Sequence, residues 1–493
     1  MKSNIPRVML VGTGSGCGKT TVTCSLLKAL KNRNMDVTSF KCGPDYIDPM
    51  FHSEIIGTKS RNLDVFLCGE NTVKYLLHKN SKDGEIAVIE GAMGIYDGMG
   101  FEDDSFSANH ISLLTHTPEI LVVNVRGKSL SLAAQLYGFI NFRKNNIKGV
   151  ILNNCSVAMY PIYEKMLEEK LGLKTYGFLP QLREAEIGSR HLGLVTAGEI
   201  EDIKEKIEIL GTAGEEYLDI DGILALGRNS EKPPFTYDEV PIQTYSDKRS
   251  NGKLQCLGSV NIAVAKDKAF CFYYEDNFDL LRLLGANLIP FSPIEDEKLP
   301  DNIQGLILGG GYPEEYLSLL SGNGSMMRSI KSAISKGLPT YAECGGFMYL
   351  GDSITKDEKT YKMVGAIRGN SHMTSGLVRF GYKTLTAEVG NMMCLKGETI
   401  RCHEFHYSDS DNNGDSFTAT KGKRSWKCIV TDANVTDINI FSDNISGDNV
   451  SGDNTACGNL FAGYPHFHLW GNPTYGENFI KACKAYRGGS QWK

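Results

Sequence analysis

The chain has 493 residues, 41% of them hydrophobic, and a formal net charge of -6. That length points to roughly two to four domains, each able to bury an ordinary core, and the negative charge argues against electrostatic capture of a polyanion such as DNA. No apolar run approaches the ~20 residues that span a bilayer, the N-terminus is expected to hold no targeting segment, and thirteen cysteines without a repeated CxxC spacing suggest reduced thiols in the cytoplasm, with neither nucleic acid nor membrane as a partner.

Arg7 to Gly12 reads as a short buried strand, because Val8, Met9, Leu10 and Val11 form a continuous apolar run. Thr20 to Arg33 reads as a helix, with Val22, Leu26, Leu27 and Leu30 near helical spacing. The turn between them is Gly12-Thr13-Gly14-Ser15-Gly16-Cys17-Gly18-Lys19-Thr20. The amides of such a turn can surround an anion, the helix N-terminus adds its dipole, and Lys19 adds a mobile charge. Thr20 is placed to offer its hydroxyl to Mg²⁺. Thr13 stands where the first glycine of the usual pattern falls and Gly12 lies one residue earlier, so the loop is a longer variant. The expected ATP contacts are Gly12, Thr13, Gly14, Ser15, Gly16, Gly18, Lys19, Thr20 and Thr21.

Carboxylates for the metal come next, in Lys41-Cys42-Gly43-Pro44-Asp45-Tyr46-Ile47-Asp48-Pro49 and at the end of the strand Ile86 to Glu90. A carboxylate at the C-terminal end of a strand faces the same sheet edge as the phosphate loop. Asp45 and Glu90 are therefore the expected metal or phosphate contacts beside Thr20, since Mg²⁺ takes hard oxygen ligands. Tyr46, Asp48 and Asp97 are candidates for substrate contact, with solvated turns as the competing reading for the two aspartates. Further apolar runs, Ile120 to Val125 and Gly149 to Leu152, alternate with helical stretches, as in a doubly wound, mostly parallel α/β sheet. A charged helical stretch, Glu199 to Leu210, precedes a polar segment over 227–258 that reads as a linker between domains at 1–226 and 259–493.

The second α/β pattern begins at Val260-Asn261-Ile262-Ala263-Val264 and includes the strand Gly305 to Leu308 with the turn Gly309-Gly310-Gly311. Cys344 follows the β-prone Leu338-Pro339-Thr340-Tyr341-Ala342 and Glu343, and precedes Gly345-Gly346 and a short apolar helix. Strand, sharp turn and helix make a nucleophile elbow, and the helix N-terminus favours a thiolate. The amides of Gly345 and Gly310 could hold an oxyanion. His466 is the favoured base, with His468 on the same strand face as packing or orienting partner. A second histidine pair, His403 and His406, is expected to line a pocket or stabilise a turn. Ser442 to Asn454 repeats a Ser-Gly-Asp-Asn unit and reads as a mobile surface loop.

The phosphate loop with Lys19-Thr20-Thr21 resembles dethiobiotin synthetase. It departs from ParA-like ATPases, whose second lysine position is Gly14 here. Nearly the whole chain resembles the cobyrinate a,c-diamide synthase family, class I glutamine amidotransferases of cobalamin biosynthesis. The resemblance rests on the loop, Lys41 to Pro49, Glu90-Gly91-Ala92-Met93-Gly94-Ile95-Tyr96-Asp97-Gly98, Arg190-His191-Leu192-Gly193-Leu194-Val195, Tyr341 to Gly346 and His403-Glu404-Phe405-His406-Tyr407-Ser408. It implies a dethiobiotin synthetase-like P-loop domain followed by a class I glutaminase domain. It implies that Cys344, with His466, releases ammonia from L-glutamine, and that the ammonia passes inside the protein to a site where ATP and Mg²⁺ activate the corrin's a and c acetates as acyl phosphates. Hydrogenobyrinate and nickel-sirohydrochlorin are the alternative tetrapyrroles. A homodimer is a further expectation. Many class I glutaminases place a glutamate two residues after the histidine; that position is His468 here, so the orienting carboxylate is missing or comes from elsewhere. A nucleotide switch or metallochaperone is the competing class, disfavoured by Gly14 and Cys344.

Overall fold

The computed structural model describes residues 5–185, 189–190, 193–194, 203–231, 254, 256–431 and 459–486. The Ser442 to Asn454 repeat, residues 232–253 of the expected linker, and His191, Leu192 and Val195 of the motif above lie outside the described residues. The chain divides into two compact units, Met1–Pro241 and Ile242–Lys493. No helix among the described residues is long and apolar enough to cross a membrane.

The first unit is a seven-stranded, wholly parallel sheet. In chain order its strands are β1 (Arg7–Gly12), β2 (Val37–Cys42), β3 (Lys59–Leu63), β4 (Ile86–Glu90), β5 (Glu119–Asn124), β6 (Ile147–Asn153) and β7 (Thr175–Leu179). Their spatial order is β3-β2-β4-β1-β5-β6-β7. The chain leaves β1 toward one edge, returns through β4 beside it, and crosses to β5 on its other side. This reversal is a topological switch point, and α/β sheets bind ligands at the C-terminal strand ends beside such a point. Every residue of β1, β2 and β4 is buried, so these strands read as continuous apolar runs with few exceptions. Two of the charged exceptions, Lys41 and Glu90, lie directly opposite each other in the ladder. The charged helix, described from Ile203, runs on to Tyr217, past the expected end at Leu210, while residues 199–202 lie outside the described residues; the following helix Ile220–Arg228 carries the first unit past position 226. A two-stranded ribbon, β8 (Ser189–Arg190) with β9 (Gly193–Leu194), lies between β7 and these helices in sequence.

The second unit has a mostly parallel sheet in the order β11-β10-β12-β13-β23-β22. These are β10 (Val260–Ala265), β11 (Ala286–Phe291), β12 (Gly305–Leu308), β13 (Thr340–Glu343), β22 (Val430–Thr431) and β23 (Leu460–Gly463). Between β13 and β22 the α/β pattern gives way to two further sheets. One holds β14 (Ser353–Lys356), β15 (Lys359–Lys362), β16 (Asn370–Met373) and β19 (Ser408–Ser410). The other is antiparallel and holds β17 (Arg379–Ala387), β18 (Thr399–His406), β20 (Phe417–Lys421), β21 (Arg424–Cys428) and β24 (His466–Phe467). β24 is only two residues long, so His468 falls beyond the strand that His466 occupies.

Arg7 anchors the first unit at the foot of β1. Its guanidinium is fully buried and donates to the carbonyls of Thr115 at 2.9 Å, Ile5 at 2.9 Å, His116 at 3.1 Å and Glu231 at 2.7 Å. Arg7→Met strands those acceptors, with an expected cost of about 2–4 kcal/mol, readable as a lower urea midpoint for the first unit.

Candidate active site

In the first unit the phosphate loop joins β1 to the helix Lys19–Asn32. Gly18 sits at φ 96°, and a Cβ there would stand 1.9 Å from Nδ2 of Asn153, so the turn requires glycine. Asn153, at the end of β6, donates to the Cys17 carbonyl at 3.0 Å and pins the loop from behind. Ser15 and Gly16 form its exposed tip. The Lys19 ammonium donates to the carbonyls of Met93 and, at 3.4 Å, of Gly14; burial lowers its pKa. The Gly91 to Gly98 segment lies against the loop, with the Ile95 amide on the Gly12 carbonyl at 2.8 Å. Asp97 is exposed, and its carboxylate accepts the Gly94 amide at 2.8 Å, closing that turn.

Four predicted residues converge on Lys41, which sequence reading did not single out. Thr20 Oγ1 donates to Glu90 Oε1 at 2.8 Å, and Lys41 Nζ meets the same oxygen at 2.8 Å. Lys41 also bonds Asp48, and Asp45 stands 4.0 Å away. The other oxygen of Glu90 lies 3.4 Å from Nε2 of His52, a buried residue on the short π-helix Phe51–Ile55. Such π-turns are frequent at functional sites. Burial disfavours every charge here, yet burial does not prevail for Lys41: Asp48, Glu90 and Asp45 raise its pKa. Glu90 is held far below the usual carboxylate range, against burial, by Lys41 and His52. Asp48 is pushed up, first by burial and then by Glu90 and Asp45, against the pull of Lys41. Lys41 thus stands among the carboxylates of Glu90, Asp48 and Asp45, oxygen donors of the kind a divalent cation such as Mg²⁺ takes. Among the described residues no three His, Cys, Asp or Glu side chains form a metal cage. Tyr46 is buried in the adjoining turn, where the Ile47 amide donates to Asp45 at 2.8 Å.

In the second unit Cys344 is the hinge between β13 and the helix Gly345–Leu350, at φ 46° and ψ -104°. A side chain held at positive φ is the strain a nucleophile elbow stores. Gly346 is required, because a Cβ would stand 2.2 Å from the Leu308 carbonyl oxygen. The Gly309 to Gly311 turn faces this elbow: a Cβ on Gly345 would lie 3.4 Å from the Gly311 amide nitrogen. Gly310 packs bare against His466, since a Cβ there would lie 2.6 Å from Cε1 of that ring.

His466 is buried and hydrogen-bonds the sulfur of Cys344. Its Nδ1 lies 3.2 Å from Glu343 Oε2. Burial opposes the imidazolium, but Cys344 and Glu343 outweigh it and raise His466 to about 10. His403, opposite His466 in the β18–β24 pair, brings its ring within 5.0 Å and its Nε2 to 3.0 Å from the Tyr274 hydroxyl. His468 stacks on Tyr274 at 4.9 Å rather than reaching His466. His406 stacks on Tyr464 at 3.9 Å and faces Glu404, which pairs with the buried Lys383 at 2.5 Å. Of the second histidine pair, His403 thus borders His466, while His406 lies on Tyr464.

Two family models match the chain: a CobQ/CobB/MinD/ParA nucleotide binding domain over residues 8–195, and a CobB/CobQ-like glutamine amidotransferase domain over residues 261–474. A cobyrinate a,c-diamide synthase of Clostridium tetani is 39% identical over 433 residues, covering 87% of this chain and 94% of that protein. One from Priestia megaterium is 37% identical over 488 residues, covering 97% of each. One from Synechococcus is 36% identical, covering 97% of this chain and 98% of that protein.

The raised His466 has a consequence for stability. The unfolded imidazole titrates near 6.5 and the folded one at about 10. Its contribution is therefore complete below about pH 6.5 and is lost as pH rises through about 10. Urea midpoints of the second unit should fall between those pH values, and His466→Asn should flatten that fall.

Proposed function

The chain belongs to the cobyrinate a,c-diamide synthase family, and from that premise we propose that it amidates the a and c acetates of cobyrinate, taking nitrogen from L-glutamine and activation from ATP. It is a glutamine-hydrolysing ligase. The observation that carries the reading is the coexistence, in one chain, of a strained cysteine facing a histidine and a phosphate loop whose threonine meets a strand-end carboxylate.

In the second unit the Cys344 thiolate attacks the glutamine carboxamide carbon. Amides at Gly345 and in the turn around Gly310 receive the oxyanion. His466 delivers its proton to the departing ammonia, and water then cleaves the thioester to glutamate. In the first unit the amides of Gly12 to Gly18 and Thr21 surround the phosphates, and Lys19 swings from its carbonyl partners onto them. An acetate oxygen takes the γ-phosphoryl group, ADP leaves, and ammonia displaces phosphate from the acyl phosphate. Thr20 and Glu90, with Asp45, would hold Mg²⁺, which when bound offsets phosphate charge. Lys41, bonded to Glu90, stabilises the charge that develops as the phosphoryl group moves. Tyr46, Asp48 and Asp97 border the substrate side, Asp48 through Lys41 and Asp97 through the turn it closes.

We assign the synthetase domain to the first unit, expected at 1–226 and extended by the helix that ends at Arg228, and the glutaminase domain to 259–493. A cytoplasmic location is supported by the twelve described cysteines, all free thiols. Exposed Tyr137 and Ile162, on the neighbouring helices Ser131–Phe142 and Tyr160–Leu171, support self-association as a homodimer.

The decisive assay supplies cobyrinic acid, hydrogenobyrinic acid or nickel-sirohydrochlorin with glutamine and Mg-ATP and weighs the products. Diamide from cobyrinic acid alone is expected. Cys344→Ala should lose glutamine-dependent product and recover it with ammonia; diamide made by that variant from glutamine refutes the thiol role. Lys41→Met should lower turnover by about 10²–10³-fold with either nitrogen donor.

A further inference from the structure

Class I glutaminases that carry a full triad draw its carboxylate from two residues beyond the histidine, where this chain has His468 stacked on Tyr274. We propose that Glu343, the residue immediately before the nucleophile, is the positioning carboxylate of this glutaminase, holding His466 by Nδ1 so that Nε2 faces the sulfur. The assignment rests on the glutaminase reading above and adds a residue to it.

The geometry is specific. β13 and β23 run parallel with Glu343 opposite Gly463, which brings the end of β13 under the turn that leads to His466. Glu343 Oε2 lies 3.2 Å from Nδ1, and both side chains are buried. The other oxygen accepts the Phe467 amide at 3.0 Å and the Tyr341 hydroxyl. Tyr341 and Glu343 are two residues apart on one strand and share a face, so the strand carries its own clamp for the carboxylate. Held by the backbone of Phe467 and by Tyr341, the carboxylate cannot swing away from the ring. An acceptor fixed at Nδ1 sets the tautomer and orientation of an imidazole, and its charge supports the imidazolium that forms during proton transfer. Groups against His466 include Cys344, Glu343, His403 at 5.0 Å and the bare Gly310, and Glu343 is the carboxylate that meets its Nδ1.

A carboxylate that merely fills space would be replaced adequately by an amide, which still accepts from Phe467. The test is therefore Glu343→Gln in the full chain, with glutaminase kinetics across pH. Glutamine-dependent kcat should fall by about 10²-fold while ammonia-dependent amidation stays within about twofold of wild type. The alkaline limb of the glutaminase profile should move to lower pH, because the imidazolium loses its anion, and Glu343→Asp should recover part of the rate. A Gln variant with the wild-type rate and profile overturns the assignment. Should that variant also lose the ammonia reaction, its fold is at fault, and nitrogen-15 NMR of His466 in the wild type decides: a protonated Nδ1 in a strong hydrogen bond upholds the assignment, and a bare Nδ1 overturns it. Failure of the glutaminase reading itself would show separately, as glutamine-dependent product from Cys344→Ala.

Discussion

The pairing of Lys41 with Glu90 is the interaction on which the synthetase site turns. Neither residue could be buried alone, since an isolated charge in an apolar sheet costs far more than a strand can supply. Parallel register sets them side by side at the ends of β2 and β4, and β1 delivers its loop and Thr20 to the same edge. The strand order that puts β4 between β2 and β1 is thus what assembles the cluster. Asp45 and Asp48 arrive from the turn that follows β2, so one sheet edge gathers every charged group of the site.

The glutaminase unit solves a similar problem with less charge. Its parallel strands end at the Gly309 to Gly311 turn, at Cys344 and at the turn before His466. Steric limits do much of the positioning: glycines at 310 and 346 allow backbone and ring to approach where any Cβ would collide. The antiparallel sheet then closes over the histidine, because β18 pairs with β24 and sets His403 opposite His466.

Much of this was legible in the sequence. The strands at Arg7, Ile86, Ile120 and Gly149 announce themselves as uninterrupted apolar runs, and the phosphate loop and the cysteine elbow carry glycines at fixed offsets. The residues that escaped notice are charged ones inside such runs. Lys41 follows Val37-Thr38-Ser39-Phe40, and its signal was its place in a strand with no exposed position, where a lysine must have a partner. Glu343 sat next to a more conspicuous neighbour. The sheets between β13 and β22 were missed because strands such as β17 alternate buried and partly exposed residues, a weaker pattern than a continuous run, and several pair across long sequence separations, β17 with β20 and β18 with β24. His52 had no local signal, since only the tertiary fold brings it to Glu90.

Cys344 and Glu343, the proposed nucleophile and its proposed positioning carboxylate, occupy successive positions at the end of one strand. Such an arrangement is portable. A short cassette from Tyr341 to Gly346, grafted onto the edge of another parallel sheet, would bring the sulfur, its helix and the clamped acid together, leaving only an imidazole and an oxyanion donor to be recruited. It is also brittle, because a single inserted residue ahead of the elbow would displace both groups at once.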